Sequence, residues 1–326
     1  MDTKEFILNQ YKQYPKLELQ DILKGLYQSS FGYDFALSNL HESSNIVEYL
    51  SNDIIRLHFN PGLKKETLNK LSKLSENPNG KKILDKNLNI LINTLDELPF
   101  DKNTSIQFIK KWKDQDYPNL THSQVFQDSY HPSYCLIKKN FLPYLEILKV
   151  LDTKEEYILA IDGKCTSGKT TFSKLLEEIY DCSIFHMDDF FLQPFQRTPE
   201  RYKEPGGNVD RERVEQEILI PLKHKEDVYY SKFNCHTMKL ENKIHVPYKP
   251  KNIIEGSYSM HPSLRKYYTM SICIDVANDI QLERVKQRNP DKVDTFISKW
   301  IPLENTYFDT FNIKDTCEYI IKTDQL

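Results

Sequence analysis

Hydrophobic residues recur with helical spacing through the first 150 residues of this chain. Apolar side chains three or four positions apart lie on one face of a helix, so this spacing predicts amphipathic helices. The pattern repeats over residues 84–95, and turn residues such as Asn60-Pro61-Gly62 separate the patterned segments. Its clearest instance consists of Leu19, Ile22, Leu23, Leu26 and Tyr27. We therefore expect a mainly α-helical N-terminal domain over residues 1–152.

Short apolar runs alternate with helical segments from residue 157 onward. The runs are YILAID, SIFHM, NIIEG, SICID and EYIIK. Buried strands that alternate with helices are typical of a parallel α/β sheet. We expect such a sheet, flanked by helices, in a second domain over residues 153–326, with SIFHM beside YILAID. The polar sequence LDTKEE marks the junction between the two domains.

A phosphate-binding signature follows the first of these runs. The sequence GKCTSGKT at 163–170 matches G-x-x-x-x-G-K-[ST] between a predicted strand and a predicted helix. In this motif, backbone N–H groups and the helix dipole bind phosphates, the lysine reaches the β and γ phosphates, and the last hydroxyl binds Mg²⁺. The expected binding residues for ATP or GTP are Gly163, Lys164, Cys165, Thr166, Ser167, Gly168, Lys169, Thr170 and Thr171.

Carboxylates follow two of the other predicted strands. Asp188 and Asp189 come directly after SIFHM, and Glu255 ends the strand of NIIEG. Open α/β sheets bind ligands at the carboxyl ends of their strands, where an aspartate can accept a proton from a hydroxyl or bind Mg²⁺. Two alternatives remain open: the aspartates cap a turn or a helix, and Glu255 is a solvated turn residue.

Composition and charge exclude several other classes of function. The 44 basic and 47 acidic residues give a net charge of -3, so neither half presents the polybasic surface that long nucleic acids need. The six cysteines include no Cys-x-x-Cys pair, which disfavours a zinc ribbon or a redox motif. Because no signal sequence and no apolar run of about 18 residues occurs, we expect neither secretion nor membrane spanning. A cytoplasmic protein with reduced thiols is expected, and a homo-oligomer stays an open alternative.

Five ordered segments in the second half resemble one family of kinases. They are GKCTSGKTT, HMDDFF, EPGGNVDRERVEQEIL, EGSYSMHP and RNPDKVDTFISKWIPLENTYF. Together they resemble the uridine kinase family over residues 155–326, in particular its bacterial uridine-kinase-like branch, here with a helical N-terminal extension. The resemblance implies a P-loop kinase fold, ATP or GTP as the phosphate donor, and Mg²⁺ as the cofactor.

The resemblance also implies roles for individual residues. Asp188 matches the family's general base toward a sugar 5′-hydroxyl, and it shares the Mg²⁺ environment with Thr170 and Glu255. Lys169 and Asp188 are thus the expected catalytic residues. Asp210 matches an aspartate that contacts ribose hydroxyls, although it also precedes a helical pattern and suits an ordinary N-cap. The two roles of Asp210 can coexist.

Basic residues and a departure from the family pattern complete the predicted site. The resemblance implies a basic lid that closes over the phosphates, and Arg284 and Arg288 lie one turn apart on the predicted helix after SICID, where they could bind the same phosphate chain. A solvated helix face is the alternative for either arginine. The family's Tyr-Asp segment for pyrimidine recognition is replaced by Phe233-Asn234-Cys235-His236. Phe233 and His236 of this segment, and Arg265 after EGSYSMHP, are the expected acceptor-binding residues, although a lone histidine in a loop is more often a plain surface residue.

The sequence as a whole predicts an ATP- or GTP-dependent, Mg²⁺-requiring phosphotransferase with an alcohol group as acceptor. The first expectation for the acceptor is a nucleoside of the uridine or cytidine type, phosphorylated on its 5′-hydroxyl. One alternative is a kinase for another hydroxylated metabolite, such as a sugar phosphate or a pantothenate-like compound. A second is a nucleotide-sensing P-loop regulator with little turnover. We expect no catalytic group from residues 1–152.

Overall fold

The chain folds into two compact units. The computed structural model describes residues 2–32 and 46–324. The chain divides into Met1–Lys149, which we call unit 1, and Val150–Leu326, which we call unit 2. The boundary that we predicted from the sequence falls three residues later. None of the helices in the described ranges has the length and apolar character needed to cross a membrane.

Unit 1 is mainly helical, as its hydrophobic periodicity predicts. Its helices in the described ranges are α1 (Thr3–Gln13), α2 (Leu19–Phe31), α3 (Lys65–Leu74), α4 (Gly80–Thr94), α5 (Lys102–Asp114), α6 (Gln124–Tyr130) and α7 (Leu145–Asp152), the last of which continues into unit 2. Leu23 and Leu26 of α2 and Leu84 and Leu91 of α4 are all fully buried. The two strongest helical patterns in the sequence are therefore confirmed.

Unit 1 also contains a small antiparallel sheet that the sequence did not predict. Its strands are β1 (Val47–Tyr49), β2 (Ile54–Leu57) and β3 (Cys135–Lys138), in the order β1-β2-β3. All four residues of β2 are buried. A short strand that is buried on both faces shows no alternation of polar and apolar residues, so its period of two is invisible in the sequence.

A buried polar network crosses the core of unit 1. The Arg56 guanidinium is 2% exposed and donates hydrogen bonds to Gln28 Oε1 and, at 3.1 Å, to Glu48 Oε2. His58 Nε2 lies 2.9 Å from the same carboxylate oxygen. Burial alone would raise the pKa of Glu48, but the charge of Arg56 holds this pKa down to about 2. Glu48 therefore stays ionised inside the core.

Replacing Arg56 with methionine is expected to lower the free energy of unfolding by about 3 to 5 kcal/mol, because it leaves Glu48 as a buried charge without its main partner. The contribution of the pair is complete above the ordinary pKa range of glutamate and is lost as the pH falls toward 2. Chemical denaturation followed by circular dichroism measures the change. Lys110→Met, which removes an exposed cation from α5, is the matched control. Equal unfolding midpoints for the two variants would contradict this interpretation.

Unit 2 is built on a sheet of five parallel strands flanked by helices, which confirms the predicted α/β fold. The strands of unit 2 are β4 (Tyr157–Gly163), β5 (Ser183–His186), β6 (Val228–Tyr230), β7 (Phe233–Asn234), β8 (Lys239–Leu240), β9 (Ile244–Val246), β10 (Lys251–Glu255), β11 (Met270–Asp275) and β12 (Tyr319–Lys322). Its helices are α8 (Lys169–Ile179), α9 (Pro199–Lys203), α10 (Arg211–Arg213), α11 (Ile220–Lys223), α12 (Asn278–Arg288), α13 (Val293–Thr295), α14 (Ile301–Phe311) and α15 (Ile313–Thr316). The π-helical turns Val214–Leu219 and Phe296–Trp300 join α10 to α11 and α13 to α14.

The strand order corrects one expectation. The sheet runs β12-β11-β4-β10-β5, so β10 lies between β4 and β5, and the prediction that SIFHM pairs with YILAID is wrong. Burial explains the order. Four of the five residues of β10 are buried, which suits a strand with neighbours on both sides. In β5, buried and half-buried residues alternate, as expected at an edge. The carboxyl ends of β4, β10 and β5 still meet at one edge of the sheet.

Candidate active site

The loop from β4 to α8 has the backbone of an anion-binding turn. Gly168 has a φ of 106° and Thr166 a φ of 58°, so both adopt left-handed conformations. At Gly163, an added Cβ would lie 2.5 Å from the carbonyl oxygen of Ile274, so only glycine fits against β11. The loop ends at Lys169, the first residue of α8. A helix N-terminus presents unpaired N–H groups and the positive end of the helix dipole, which together favour a phosphate.

The Lys169 side chain is folded back onto this loop. Its Nζ donates hydrogen bonds to the carbonyl oxygens of Gly163 at 2.7 Å and Lys164 at 2.9 Å, and the residue is 8% exposed. A phosphate in the loop would offer this ammonium charged acceptors, and hydrogen bonds between charged partners are about twice as strong as neutral ones. Lys169 is therefore held in place by contacts that a phosphate group can replace.

A cavity of about 400 Å³ lies over the loop. The loop and helix residues that line it are Cys165, Thr166, Gly168, Lys169, Thr170 and Thr171. Gly163 and Ser167 are buried in the loop itself, and Lys164 Nζ donates to Asn278 Oδ1 at 3.2 Å. The predicted nucleotide-binding residues thus divide into those that face the cavity and those that shape the loop.

Both predicted strand-end carboxylates reach the same cavity. Asp188, in the 3-10 turn Met187–Phe190 after β5, lines it together with Glu255 at the end of β10. The Thr170 hydroxyl donates to Glu255 Oε1 at 3.2 Å. In the parallel register of the sheet, Glu255 pairs with Ile161 of β4, which brings its side chain next to the loop. The structure therefore brings together the phosphate-binding loop, one hydroxyl and two carboxylates.

The two adjacent aspartates have different surroundings. Asp188 is exposed to the cavity, and its carboxylate has no hydrogen-bond or ion-pair partner among the described residues. The cavity walls displace bulk water around this carboxylate and raise its pKa, an effect that Lys169 opposes and Glu255 strengthens. Asp189 instead forms an ion pair with Lys232, at 3.1 Å. Asp188 is therefore available to accept a proton, whereas the charge of Asp189 is compensated.

His186 belongs to the site, although the sequence analysis gave it no role. It ends β5, and its Nδ1 lies 2.5 Å from Glu255 Oε1. This hydrogen bond to the carboxylate raises the pKa of His186. The available signal was position: His186 is a polar residue at the end of a predicted strand, two residues before Asp188. Its contact with Glu255 orients that carboxylate toward Thr170.

The oxygen atoms of Thr170, Asp188 and Glu255 suit Mg²⁺. This ion prefers oxygen ligands and commonly takes one or two carboxylates from the protein, with the rest of its shell from phosphates and water. Within residues 2–32 and 46–324, no three acidic, histidine or cysteine side chains form a complete metal-binding group. Two carboxylates and one hydroxyl from the protein fit a Mg²⁺ ion whose other ligands are phosphate and water oxygens.

The two predicted lid arginines have different positions. Arg288 lines the cavity, together with Lys292. Arg284 donates hydrogen bonds to the carbonyl oxygens of Thr166, at 3.4 Å, and Thr323, at 2.5 Å. Arg284 thus supports the loop from behind, and Arg288 is the one of the pair that faces the cavity.

Asp210 is buried close to the cavity but does not line it. Its Oδ1 accepts a hydrogen bond from the backbone N–H of Arg213, at 3.2 Å, which is the predicted N-cap contact. Its Oδ2 is buried and has no hydrogen-bond partner in the described part of the chain. Asn208, two residues earlier, does line the cavity. The structure thus shows the capping role and leaves one buried carboxylate oxygen of Asp210 without a hydrogen-bond partner among the described residues.

The other predicted acceptor residues also lie outside the cavity lining. Phe233 is buried beneath the guanidinium of Arg197, and His236 is exposed. Arg265 donates hydrogen bonds to the carbonyl oxygens of Met260 and Phe311. In this structure these three residues are not brought together with Asp188.

An aromatic wall of the cavity was not predicted from the sequence. It consists of Phe191, Tyr258, Phe296 and Trp300, and the cavity is also lined by Glu304, which contacts the loop. The last three lie on or beside α14, more than 120 positions after the phosphate-binding loop in the chain. Only the fold brings such distant side chains together, so their shared cavity is not visible in any one segment of the sequence. The cavity therefore combines a cationic loop, an acidic edge and an aromatic wall.

The Cys165 thiol is expected to resist alkylation, although it lines the cavity. Burial, followed by the nearby charge of Glu304, raises the pKa of Cys165 to about 12. The reactive thiolate is therefore almost absent at pH 8. Exposed Cys235 is expected to react first with iodoacetamide, as measured by peptide mass spectrometry. Cys235→Ser serves as the control, and modification of Cys165 at the rate of Cys235 would contradict the prediction.

Comparisons with known proteins show partial similarity. No protein-family model matches the chain, and no curated protein sequence does. A structure described as a possible uridine kinase from Bacillus stearothermophilus is 19% identical, with a TM-score of 0.43, and the match covers 56% of this chain and 96% of that one. A candidate fructose transport system kinase from Silicibacter sp. TM1040 is 20% identical, with a TM-score of 0.43, over 56% and 97%. Shikimate kinase from Bacteroides thetaiotaomicron is 14% identical, with a TM-score of 0.29, over 52% and 88%.

Proposed function

We propose that this chain is an ATP- or GTP-dependent kinase that phosphorylates a hydroxyl group of a small molecule. The observation that carries the proposal is the presence, in one cavity, of a phosphate-binding loop with Lys169 and of the unpartnered carboxylate of Asp188. Phosphoryl transfer needs a cradle for the phosphates, a compensating charge and an acceptor for the hydroxyl proton. These residues supply all three.

Each residue has a defined task in this mechanism. The loop amides bind the phosphates of the nucleotide, and Lys169 exchanges its carbonyl partners for phosphate oxygens. Asp188 accepts the proton of the attacking hydroxyl. Thr170, Asp188 and Glu255 would hold Mg²⁺, which would neutralise phosphate charge when bound. His186 keeps Glu255 in place, and Arg288 adds positive charge over the phosphates.

For the acceptor, we propose the 5′-hydroxyl of a nucleoside of the uridine or cytidine type. The resemblance of the second half of the chain to the uridine kinase family supports this choice. The aromatic wall of Phe191, Tyr258, Phe296 and Trp300 also supports it, because a planar base can stack on aromatic rings. Another hydroxylated metabolite is the alternative, since none of the three predicted acceptor residues lines the cavity.

A screen of acceptors tests the proposal. Nucleosides, sugars, sugar phosphates and vitamins are offered at fixed MgATP or MgGTP, and release of the nucleoside diphosphate is followed by a coupled assay. We expect turnover to depend on both Mg²⁺ and one class of acceptor. Nucleotide binding without acceptor-dependent turnover across the whole panel would instead favour the nucleotide-sensing regulator.

A further inference from the structure

The carboxylate of Glu304 accepts a hydrogen bond from a backbone N–H of the phosphate-binding loop. Its Oε1 and Oε2 lie 3.0 Å and 2.9 Å from the backbone nitrogen of Cys165 and accept its N–H. Oε1 also accepts a hydrogen bond from the Ser257 hydroxyl, at 2.8 Å. Backbone N–H groups of this loop are the donors that a P-loop offers to phosphates. A protein carboxylate therefore lies where the loop binds anions.

This contact is built into the fold of unit 2. Glu304 is 5% exposed, and three residues along α14 the Tyr307 hydroxyl donates to Asp162 Oδ2 at 2.8 Å. Residues three apart lie on the same helix face, so the anchor at Tyr307 keeps Glu304 on the face of α14 that meets the loop. Tyr307 and Asp162 are both fully buried. The placement of Glu304 beside the loop thus follows from the packing of α14.

The charge of Glu304 compensates the loop. Lys169 Nζ lies 3.4 Å from Ser257 Oγ, and that hydroxyl donates to Glu304, so the ammonium and the carboxylate are linked through one side chain. Glu304 also lines the same cavity as Lys169 and Thr170. A nucleotide brings several negative charges into this space. Like charges repel strongly where little water screens them, so the bound phosphates and the carboxylate oppose each other.

We propose that Glu304 is an internal competitor of the nucleotide phosphates and thereby sets the affinity of the loop for them. In this structure, the Glu304 carboxylate accepts the Cys165 N–H. When phosphates bind, the carboxylate gives up that donor, and its return favours release of the nucleoside diphosphate. This inference rests on the proposed nucleotide site, and it adds a residue that determines affinity outside the P-loop motif.

Variants of Glu304 test the competition in the full-length protein. Glu304→Ala removes the carboxylate, and Glu304→Gln keeps its shape while it removes the charge. Asp309→Asn is the matched control, because it removes one negative charge from an exposed position of the same helix. Calorimetric titration with MgATP, and with magnesium tripolyphosphate to isolate the loop, measures the affinity.

We expect Glu304→Ala to bind both ligands at least about tenfold more tightly than wild type. The reason is that the phosphates would no longer compete with a charged group for one hydrogen-bond donor. Glu304→Gln should also bind both ligands more tightly than wild type, so the test remains valid if the alanine variant folds poorly. Asp309→Asn should bind them with wild-type affinity. Unchanged or weaker binding by both Glu304 variants would overturn the inference and leave the nucleotide site intact. If wild type and folded variants bind neither ligand, the nucleotide site fails, and the inference fails with it.

Discussion

Replacing Lys169 with alanine is expected to reduce turnover by roughly 10² to 10³-fold, the loss seen when one charged or polar group that stabilises a transition state is removed. The ammonium is buried against the loop, and no other lysine lines the loop side of the cavity in the described residues. Steady-state rates at saturating nucleotide and acceptor measure the change. Lys174→Ala, at an exposed position of α8, is the matched control and should keep wild-type turnover.

The Lys169 experiment separates two roles of this ammonium, namely binding of the nucleotide and stabilisation of the transition state. A fall in turnover that exceeds the loss of nucleotide affinity would mean that the ammonium acts on the transferring phosphate. Wild-type turnover in a folded Lys169→Ala protein would contradict the assignment of GKCTSGKT as the phosphate-binding site.

Replacing Asp188 with asparagine is expected to slow the chemical step by roughly 10² to 10⁴-fold, because the amide preserves shape but cannot accept the hydroxyl proton. Affinity for the nucleotide should change much less. Single-turnover phosphoryl transfer, followed by rapid quench, measures the step without a contribution from product release.

Asp189→Asn is the control for Asp188 within the same turn. Asp189 pairs with Lys232, so the loss of its charge should leave the chemical step close to that of wild type. If Asp189→Asn loses the step while Asp188→Asn retains it, the base is Asp189 and the roles given to the two aspartates are reversed.

The sequence predicted those parts of unit 2 that depend on short segments. The loop at 163–170 is continuous in the chain, so its motif could be found without knowledge of the fold. Asp188 and Glu255 were found because each ends a short apolar run, and parallel strands bring such ends to one edge. The order of the strands was not predictable in this way, because pairing depends on which strand can be buried on both faces. That is why β10 separates β5 from β4.

Contacts between distant segments account for the residues that the sequence analysis missed. Glu304 and Cys165 are 139 positions apart, and His186 and Glu255 are 69 apart. Neither pair leaves a spacing that a single sequence can reveal. The buried Arg56 in unit 1 is a similar case, because its partners Gln28 and Glu48 come from other elements. A lone arginine in a strand gives no sign that it will be buried.

Transfer of a labelled γ-phosphate is the most direct test of the central claim. The full-length protein is incubated with Mg²⁺ and γ-labelled ATP or GTP, together with the acceptor class selected by the screen, and the products are separated and identified by mass spectrometry and ³¹P NMR. We predict label in a phosphate monoester on one hydroxyl of the acceptor with wild type, and little or none with Asp188→Asn. Label that stays in the nucleotide, or passes only to water as inorganic phosphate, for every acceptor offered would contradict the assignment of this chain as a small-molecule kinase.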